Sequence, residues 1–576
     1  MLRFIIFFLM NMLLTTVCMA QDFSPEIQIS GGDSELEANI RSHLSLAGES
    51  CDSTPARLDR IRAGLLDSIR QAGRALGYYR NTYQLQFSEQ DSCWSLLIDI
   101  TQGERILVAS AKVEIRGEEE LRNVFQEVLD DRAPLEGLPL HHGNYEALKT
   151  ALVSRAQEAG FFSASFATAE IRLDLSAYEA EIVLDFVPGP RFSFGAINVM
   201  DVDGLSRDFV NSLVILQEGE AFSSERLLAQ RLALDETRFF QHIDVIPQLS
   251  QADNQRVPVD IEVQLRPRHA YMTGIGFTTD TGPRARVAYE NRYLNSFGHM
   301  LDVDASFSTV RSQVNTQYSI PLPRDPVRQR LMFGTGFISE DNDSYESDRF
   351  KLEAAWRKEF DNGWINTLFI DFLQDDYRID EQVDKSELTM LGNSMSKTSA
   401  DNVINTVNGW NLFMQFRGAS DSMLSDTSFL QIYGSGKKIL TFGDSRLLLR
   451  GELGATLVDR LQDLPASVRF YAGGDKSIRG YDYQSLGPLN DSGEVTGGKH
   501  LLTSSIEIDH LFKNRWRGAV FYDGGNAFSS DKFEWEHSVG IGLRWLSPIG
   551  PIRLDLARGF GEKGAFRIHV TMGPDL

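Results

Sequence analysis

After residue 20 the sequence has no run of eighteen consecutive apolar residues, so it offers no helix fit to span a bilayer. Cations are in short supply: 57 Lys plus Arg stand against 80 Asp plus Glu, a formal net charge of −23. That balance speaks against nucleic acid or an anionic lipid surface as the partner. Cysteine is scarcer still, with three in 576 residues.

The signatures of enzyme chemistry are absent too. No Gly-x-Ser-x-Gly elbow occurs. Gly434-Ser435-Gly436-Lys437-Lys438 lacks the first glycine of a phosphate loop, where Gln431 stands, and lacks the Ser/Thr after Gly-Lys. It reads as a strand turn. His141-His142 has no partner at metal spacing and reads as a solvated turn before a helix. The expectation is a protein that is not an enzyme and needs neither metal nor cofactor.

The N-terminus carries an export signal. Arg3 is the charged region, Phe4 to Leu14 the apolar core, and Cys18-Met19-Ala20 a small-residue cleavage site, giving a signal peptide over residues 1–20. A lipoprotein anchored at Cys18 is the alternative, disfavoured by Val17 before the cysteine. An exported chain without a spanning helix is either soluble or a closed β-barrel, the other way to satisfy backbone polar groups in lipid. Removing the signal leaves Cys51 and Cys93. An even pair in an oxidising compartment points to one disulfide, two buried free thiols being the alternative.

The first half repeats about every 80 residues, each copy reading strand, helix, helix, two strands. Leu58, Ile61, Leu65, Ile69 and Ala72 make one amphipathic stripe; Tyr145, Leu148, Leu152, Ala156 and Ala159 repeat its spacing. Each helix leads into an aromatic step: Gly77-Tyr78-Tyr79, Gly160-Phe161-Phe162 and Arg238-Phe239-Phe240. From residue 267 strict alternation takes over. Val539, Ile541, Leu543 and Trp545 oppose Ser538, Gly540, Gly542 and Arg544, and Phe566, Ile568, Val570 and Met572 oppose Arg567, His569 and Thr571. A membrane barrel alternates this way, with lipid outside and water inside. A soluble sandwich alternates too, with its polar face outward, and alternation alone does not separate them. About sixteen strands fit. Asn393 to Asn408 and Asp482 to Lys499 read as long loops.

Within this half, Phe470-Tyr471-Ala472-Gly473-Gly474-Asp475-Lys476-Ser477-Ile478-Arg479-Gly480-Tyr481 puts one arginine on a glycine-rich loop. Glu507 and Asp523 follow on later strands. A guanidinium fork can bond carboxylates bidentately and so pin a loop inside a barrel. These residues resemble the VRG(F/Y) loop and partner strands of the outer-membrane protein-assembly superfamily, which includes BamA, TamA and the two-partner secretion pores. The repeats resemble POTRA domains, notably at Gly160-Phe161-Phe162-Ser163-Ala164 and Pro188-Gly189-Pro190-Arg191-Phe192-Ser193-Phe194-Gly195. Three repeats, a short barrel, and the segments Gly274–Arg284 and Arg292–His299 resemble the TamA branch, the outer-membrane subunits of the translocation and assembly module.

The resemblance implies a multidomain chain: POTRA 1 over 21–102, POTRA 2 over 103–188, POTRA 3 over 189–266, and a transmembrane antiparallel β-barrel of about 16 strands over 267–576. It implies a loop anchor made of Arg479, Gly480, Tyr481, Glu507 and Asp523. It implies an insertase in the cell outer membrane, with its POTRA domains in the periplasm. Autotransporter-type clients would pass through a seam between Tyr271–Phe277 and Phe566–Met572, with Ile275 and Ile568, or the adjacent register, across it. The implied partners are a TamB-like protein anchored in the inner membrane, unfolded outer-membrane clients and outer-membrane lipid. A two-partner-type secretion pore or passive channel is the alternative. The ending Met572-Gly573-Pro574-Asp575-Leu576 lacks the aromatic residue on which such barrels often finish.

Overall fold

The computed structural model describes residues 25–90, 93–117, 119–200, 202–402, 404–529, 533–548, 550–561 and 564–576. The signal segment, with Cys18, lies outside them. The described residues form two compact units, one within 25–196, 217–226 and 248–258 and the other within 197–216, 227–247 and 259–576.

The first repeat runs β1 (Glu26–Ser30), α1 (Ser34–His43), α2 (Pro55–Ala75), β2 (Thr82–Gln90) and β3 (Cys93–Thr101). Its sheet has the order β1-β3-β2, β1 parallel and β2 antiparallel to β3. The predicted stripe faces inward: Leu58, Leu65, Ile69 and Ala72 are buried with Leu36 and Ile40 of α1 against Trp94, Leu96, Ile98 and Ile100 of β3. Each buried Leu or Ile there contributes about 1.5–3 kcal/mol. Asp33 caps α1, accepting from the Leu36 amide at 2.8 Å and from the Tyr78 hydroxyl at 2.5 Å. Burial pushes the Asp33 carboxyl up, but those bonds, one from Gln102 and the nearby Arg105 outweigh it and hold the carboxyl below its usual range. Cys51 and Cys93 form a disulfide, their Cα atoms 4.6 Å apart, tying the turn before α2 to the start of β3.

The second repeat runs β4 (Leu107–Ile115), α3 (Glu119–Asn123), α4 (Gln126–Arg132), α5 (His142–Glu158), β5 (Ser165–Asp174) and β6 (Glu179–Val187), with sheet order β4-β6-β5. The third runs β7 (Ser193–Val199), α6 (Arg207–Ser212), α7 (Ser224–Glu236), β8 (Phe240–Pro247) and β9 (Arg256–Leu265), with order β7-β9-β8. The histidine pair is no solvated turn. His141 caps α5 by accepting from the Gly143 amide at 2.9 Å, and His142 is half-buried with Nε2 at 2.9 Å from the Tyr79 hydroxyl. The aromatic step that ends the first repeat's helix thus meets the histidine that opens the second's.

Sixteen strands follow in one antiparallel meander, each paired with its sequence neighbours. They are β10 (His269–Thr278), β11 (Gly282–Asn291), β12 (Met300–Ser308), β13 (Arg311–Pro321), β14 (Gln329–Asp341), β15 (Glu346–Glu359), β16 (Ile365–Ile379) and β17 (Gln382–Ala400). Then come β18 (Gly409–Ala419), β19 (Phe429–Phe442), β20 (Ser445–Val458), β21 (His500–Lys513), β22 (Trp516–Phe528), β23 (Glu536–Ser547), β24 (Gly550–Gly559) and β25 (Phe566–Met572). The faces decide between barrel and sandwich. Ile506, Ile508, Val520, Ile541, Leu554 and Ile568 point outward and are exposed, while Glu507, Asp509, Asp523, Arg544 and Asp555 point inward and are buried. Apolar side chains outside and charges inside suit a barrel in lipid. Trp364 lies tilted beside Trp410 (6.4 Å) and Trp516 stacks on Trp545 (6.3 Å), all at strand ends on the side where β10 begins. Such aromatics sit at a membrane interface.

Two expectations change. Asn393–Ala400 is not loop but the end of β17, the longest strand, and only 401–408 connect it to β18. Its polar residues pair regularly with both neighbours, and Asn366 donates to Asn393 at 3.0 Å. A barrel strand keeps one polar face throughout, so polarity there does not mark a loop. The Gly434–Lys438 run is no turn; it lies within β19. Among the described residues no backbone ladder joins β10 to β25, so the barrel is nearly closed rather than zipped.

Candidate functional site: a charged loop pinned inside an unzipped barrel

The connection between β20 and β21, residues 459–499, folds back against the inner wall. Ile478, Tyr481, Ala472 and Leu486 are buried with Phe470, Leu501 and Ala527. Gly480 has φ +92°, and a Cβ there would sit 2.7 Å from the Gly559 amide nitrogen. Only glycine fits that approach. The Tyr481 hydroxyl donates to Glu536 at 2.7 Å and accepts from the Gly561 amide at 3.0 Å.

Arg479 meets the carboxylates expected of it. Its Nε and Nη2 bond both oxygens of Asp523 at 2.7 and 2.9 Å, and its amide adds a third bond at 3.1 Å. Nη1 reaches Glu507 at 2.8 Å, and the guanidinium lies 3.4 Å over the Phe521 ring. Two members of the cluster were missed. Asp555 on β24 takes a bond from Arg479 at 3.1 Å, and Arg544 on β23 bridges Glu507 (2.8 Å) and Asp555. Both stand on faces whose alternation was plain; the missing signal was that an inward charge on a barrel wall needs a counter-charge on a neighbouring strand. Each guanidinium joins at least two carboxylates, so no charge in the cluster is isolated.

A second network holds the end of the chain. Arg446 on β20 bonds Asp509 at 2.6 Å and Asp575 at 3.1 Å, and Arg553 on β24 bonds Asp575 at 3.2 Å and the Gly573 carbonyl at 3.0 Å. The non-aromatic ending is thus drawn inward by Asp575. A lumen cavity of about 1100 Å³ lies between this network, the loop and β10, lined among others by Arg450, Glu452, Lys476 and Asp575.

At the seam, Ile275 and Ile568 are both strongly exposed, at 89% and 58%. They do not face each other. The Val570 amide donates to the Thr279 hydroxyl at 2.6 Å. On the register this bond sets for antiparallel strands, Ile275 and Ile568 are six residues out of step, about 20 Å along the strand.

The Omp85 superfamily domain matches residues 274–574, just over half of the chain. The chain belongs to the Omp85 superfamily. The first TamA POTRA domain matches residues 26–102. Among curated relatives, outer membrane protein assembly factor BamA of Nitratidesulfovibrio vulgaris is 26% identical over 452 residues, 71% of this chain and 55% of that protein. Outer envelope protein 80 of Arabidopsis thaliana chloroplasts is 27% identical over 157 residues, 25% of this chain and 19% of that protein. The chain therefore spans about half the length of the BamA relative. Among solved structures, BamA of Haemophilus ducreyi lacking POTRA domains 1–3 superposes with a TM-score of 0.65 at 15% identity, covering 81% of this chain and 99% of that one. As an Omp85 protein, the chain is an outer-membrane barrel with its POTRA domains in the periplasm.

Proposed function

We propose that this Omp85 protein is a TamA-type insertase, the outer-membrane subunit of a translocation and assembly module, acting on autotransporter-type clients. The observation that carries the reading is the seam: β10 and β25 are neighbours without a shared ladder. Edge strands with free N–H and C=O groups template an incoming strand. The match of the first POTRA domain to the TamA type, and the three small sheets, support the branch. In this reading the POTRA domains receive unfolded clients, a TamB-like inner-membrane-anchored protein is the periplasmic partner, and the barrel does its work without bond-making chemistry or a cofactor.

The test is a cross-link at the observed contact. Thr279→Cys with Val570→Cys, oxidised in proteoliposomes, is expected to leave the barrel folded and abolish client insertion, with recovery on reduction. Single-cysteine variants taken through the same cycle control for Cys51–Cys93. Undiminished insertion by a verified cross-linked barrel overturns the seam. A steady large single-channel conductance would favour a secretion pore instead.

A further inference from the structure

Three side chains from three distant places meet at the seam. Asp280 lies in the turn after β10, Asp475 on the loop that carries Arg479, and His569 on β25. His569 Nδ1 is 2.5 Å from Asp475 Oδ1, and both side chains are 3% exposed. The Asp475 amide donates to Asp280 at 2.6 Å, and the Asp280 amide returns a bond to Asp475 at 3.4 Å. The other ring nitrogen of His569 accepts from the Gly480 amide at 2.9 Å, next to Arg479. This fixes the tautomer: Nε2 accepts, so Nδ1 carries the proton given to Asp475. Arg567, two residues before His569, pairs with Asp482 of the same loop.

We propose that this loop is the clasp of the seam. Asp475 joins the β10 side, through Asp280, to the β25 side, through His569, so that the loop's position sets the spacing of two strands that share no ladder. Three features argue for it. Among the described residues the hydrogen bond running directly from β25 to the end of β10 is that of the Val570 amide to the Thr279 hydroxyl, backbone to side chain rather than a ladder bond. The loop supplies every other hydrogen bond described above between the two edges. And the loop is itself fixed to β21, β22 and β24 by Arg479. Displacing the loop therefore frees both edges together, whereas a turn merely packed in the lumen would leave them as they are.

The clasp rests on the seam reading above, and distance measurement separates the two. Spin labels at Ile275 and Ile568, both exposed, report seam geometry in the full-length protein in lipid nanodiscs. The unsubstituted clasp should give one narrow distance. Asp475→Ala should lengthen or broaden it by at least one strand spacing, about 5 Å. Asp280→Ala, in the half-buried turn after β10, should do the same from the β10 side alone. The exchange of Asp475→His with His569→Asp should restore the narrow distance, which a purely space-filling role would not. Heat-modifiable migration shows which variants are folded. Unchanged distances in folded Asp280→Ala or Asp475→Ala protein overturn the clasp. A widened seam with unaltered client insertion leaves the clasp standing and refutes insertion through the seam.

Discussion

Replacing Arg479 with alanine removes five side-chain bonds at once: two to Asp523 and one each to Glu507, Asp555 and Ser505. The losses are unequal. Glu507 and Asp555 keep Arg544. Asp523, fully buried, keeps the amide of residue 479 but loses its bidentate partner. Removing one partner of a buried pair costs about 3–5 kcal/mol. At 1.4 kcal/mol per tenfold, the population with the loop detached should rise roughly a hundred- to several-thousand-fold. Asp523→Ala should cost a similar amount. The double variant should cost much less than the sum, because each single change strands the other's charge. Limited proteolysis of the 459–499 loop in lipid reads the open population directly, with heat-modifiable migration confirming that the barrel persists. If Arg479→Ala leaves the loop as protected as in the parent protein, or if the double variant is simply additive, the guanidinium does not anchor the loop.

Two further outcomes follow from the periplasmic repeats. The unreduced, denatured protein should label at neither Cys51 nor Cys93, and breaking the bridge should destabilise the first repeat by about 4 kcal/mol on the chain-entropy account of a loop this long; labelling of both thiols refutes the pairing. Burial, then the neighbouring His141, lowers the pKa of His142 below 6.5, with Glu146 opposing. The unfolded chain therefore takes up the proton first, so the stability held by neutral His142 is complete above about 6.5 and is lost as pH falls below it. Hydrogen exchange at the Tyr79–His142 contact should rise between neutral pH and about pH 5 beyond its intrinsic rate, and His142→Gln should abolish that dependence; a flat profile in the parent protein counts against it.

The sequence carried the architecture because barrel strands have a period of two that no loop interrupts: Val539, Ile541 and Leu543 announce an outer face wherever they stand. It carried the arginine and two of its carboxylates because their loop and strands are distinctive. It did not carry Arg544 or Asp555, whose roles depend on which strands are neighbours and in what register. Nor did it carry the seam register. Inside the meander the turns set each pairing, as at Ile379↔Gln382, but β10 and β25 lie nearly 300 residues apart and no turn links them. His142 misled for a related reason: its partner, Tyr79, belongs to another repeat.

The inward pull of Asp575 has a consequence for how such a barrel can move. β25 is seven residues long and is held at both ends, by His569 and Arg567 on the loop side and by Asp575 against Arg446 and Arg553 beyond it. Sliding it by one side-chain repeat would break all of these bonds together. Among the described residues β10 itself carries no ion pair and is tied to the loop only beyond its end, through Asp280: Tyr271 and Ile275 stand 77% and 89% exposed, and a side chain at Gly274 would meet nothing within 4 Å. The two lips of the seam are mechanically unequal, a fixed one and a compliant one, and widening at the lowest cost is a hinging of the β10–β11 hairpin away from a stationary β25.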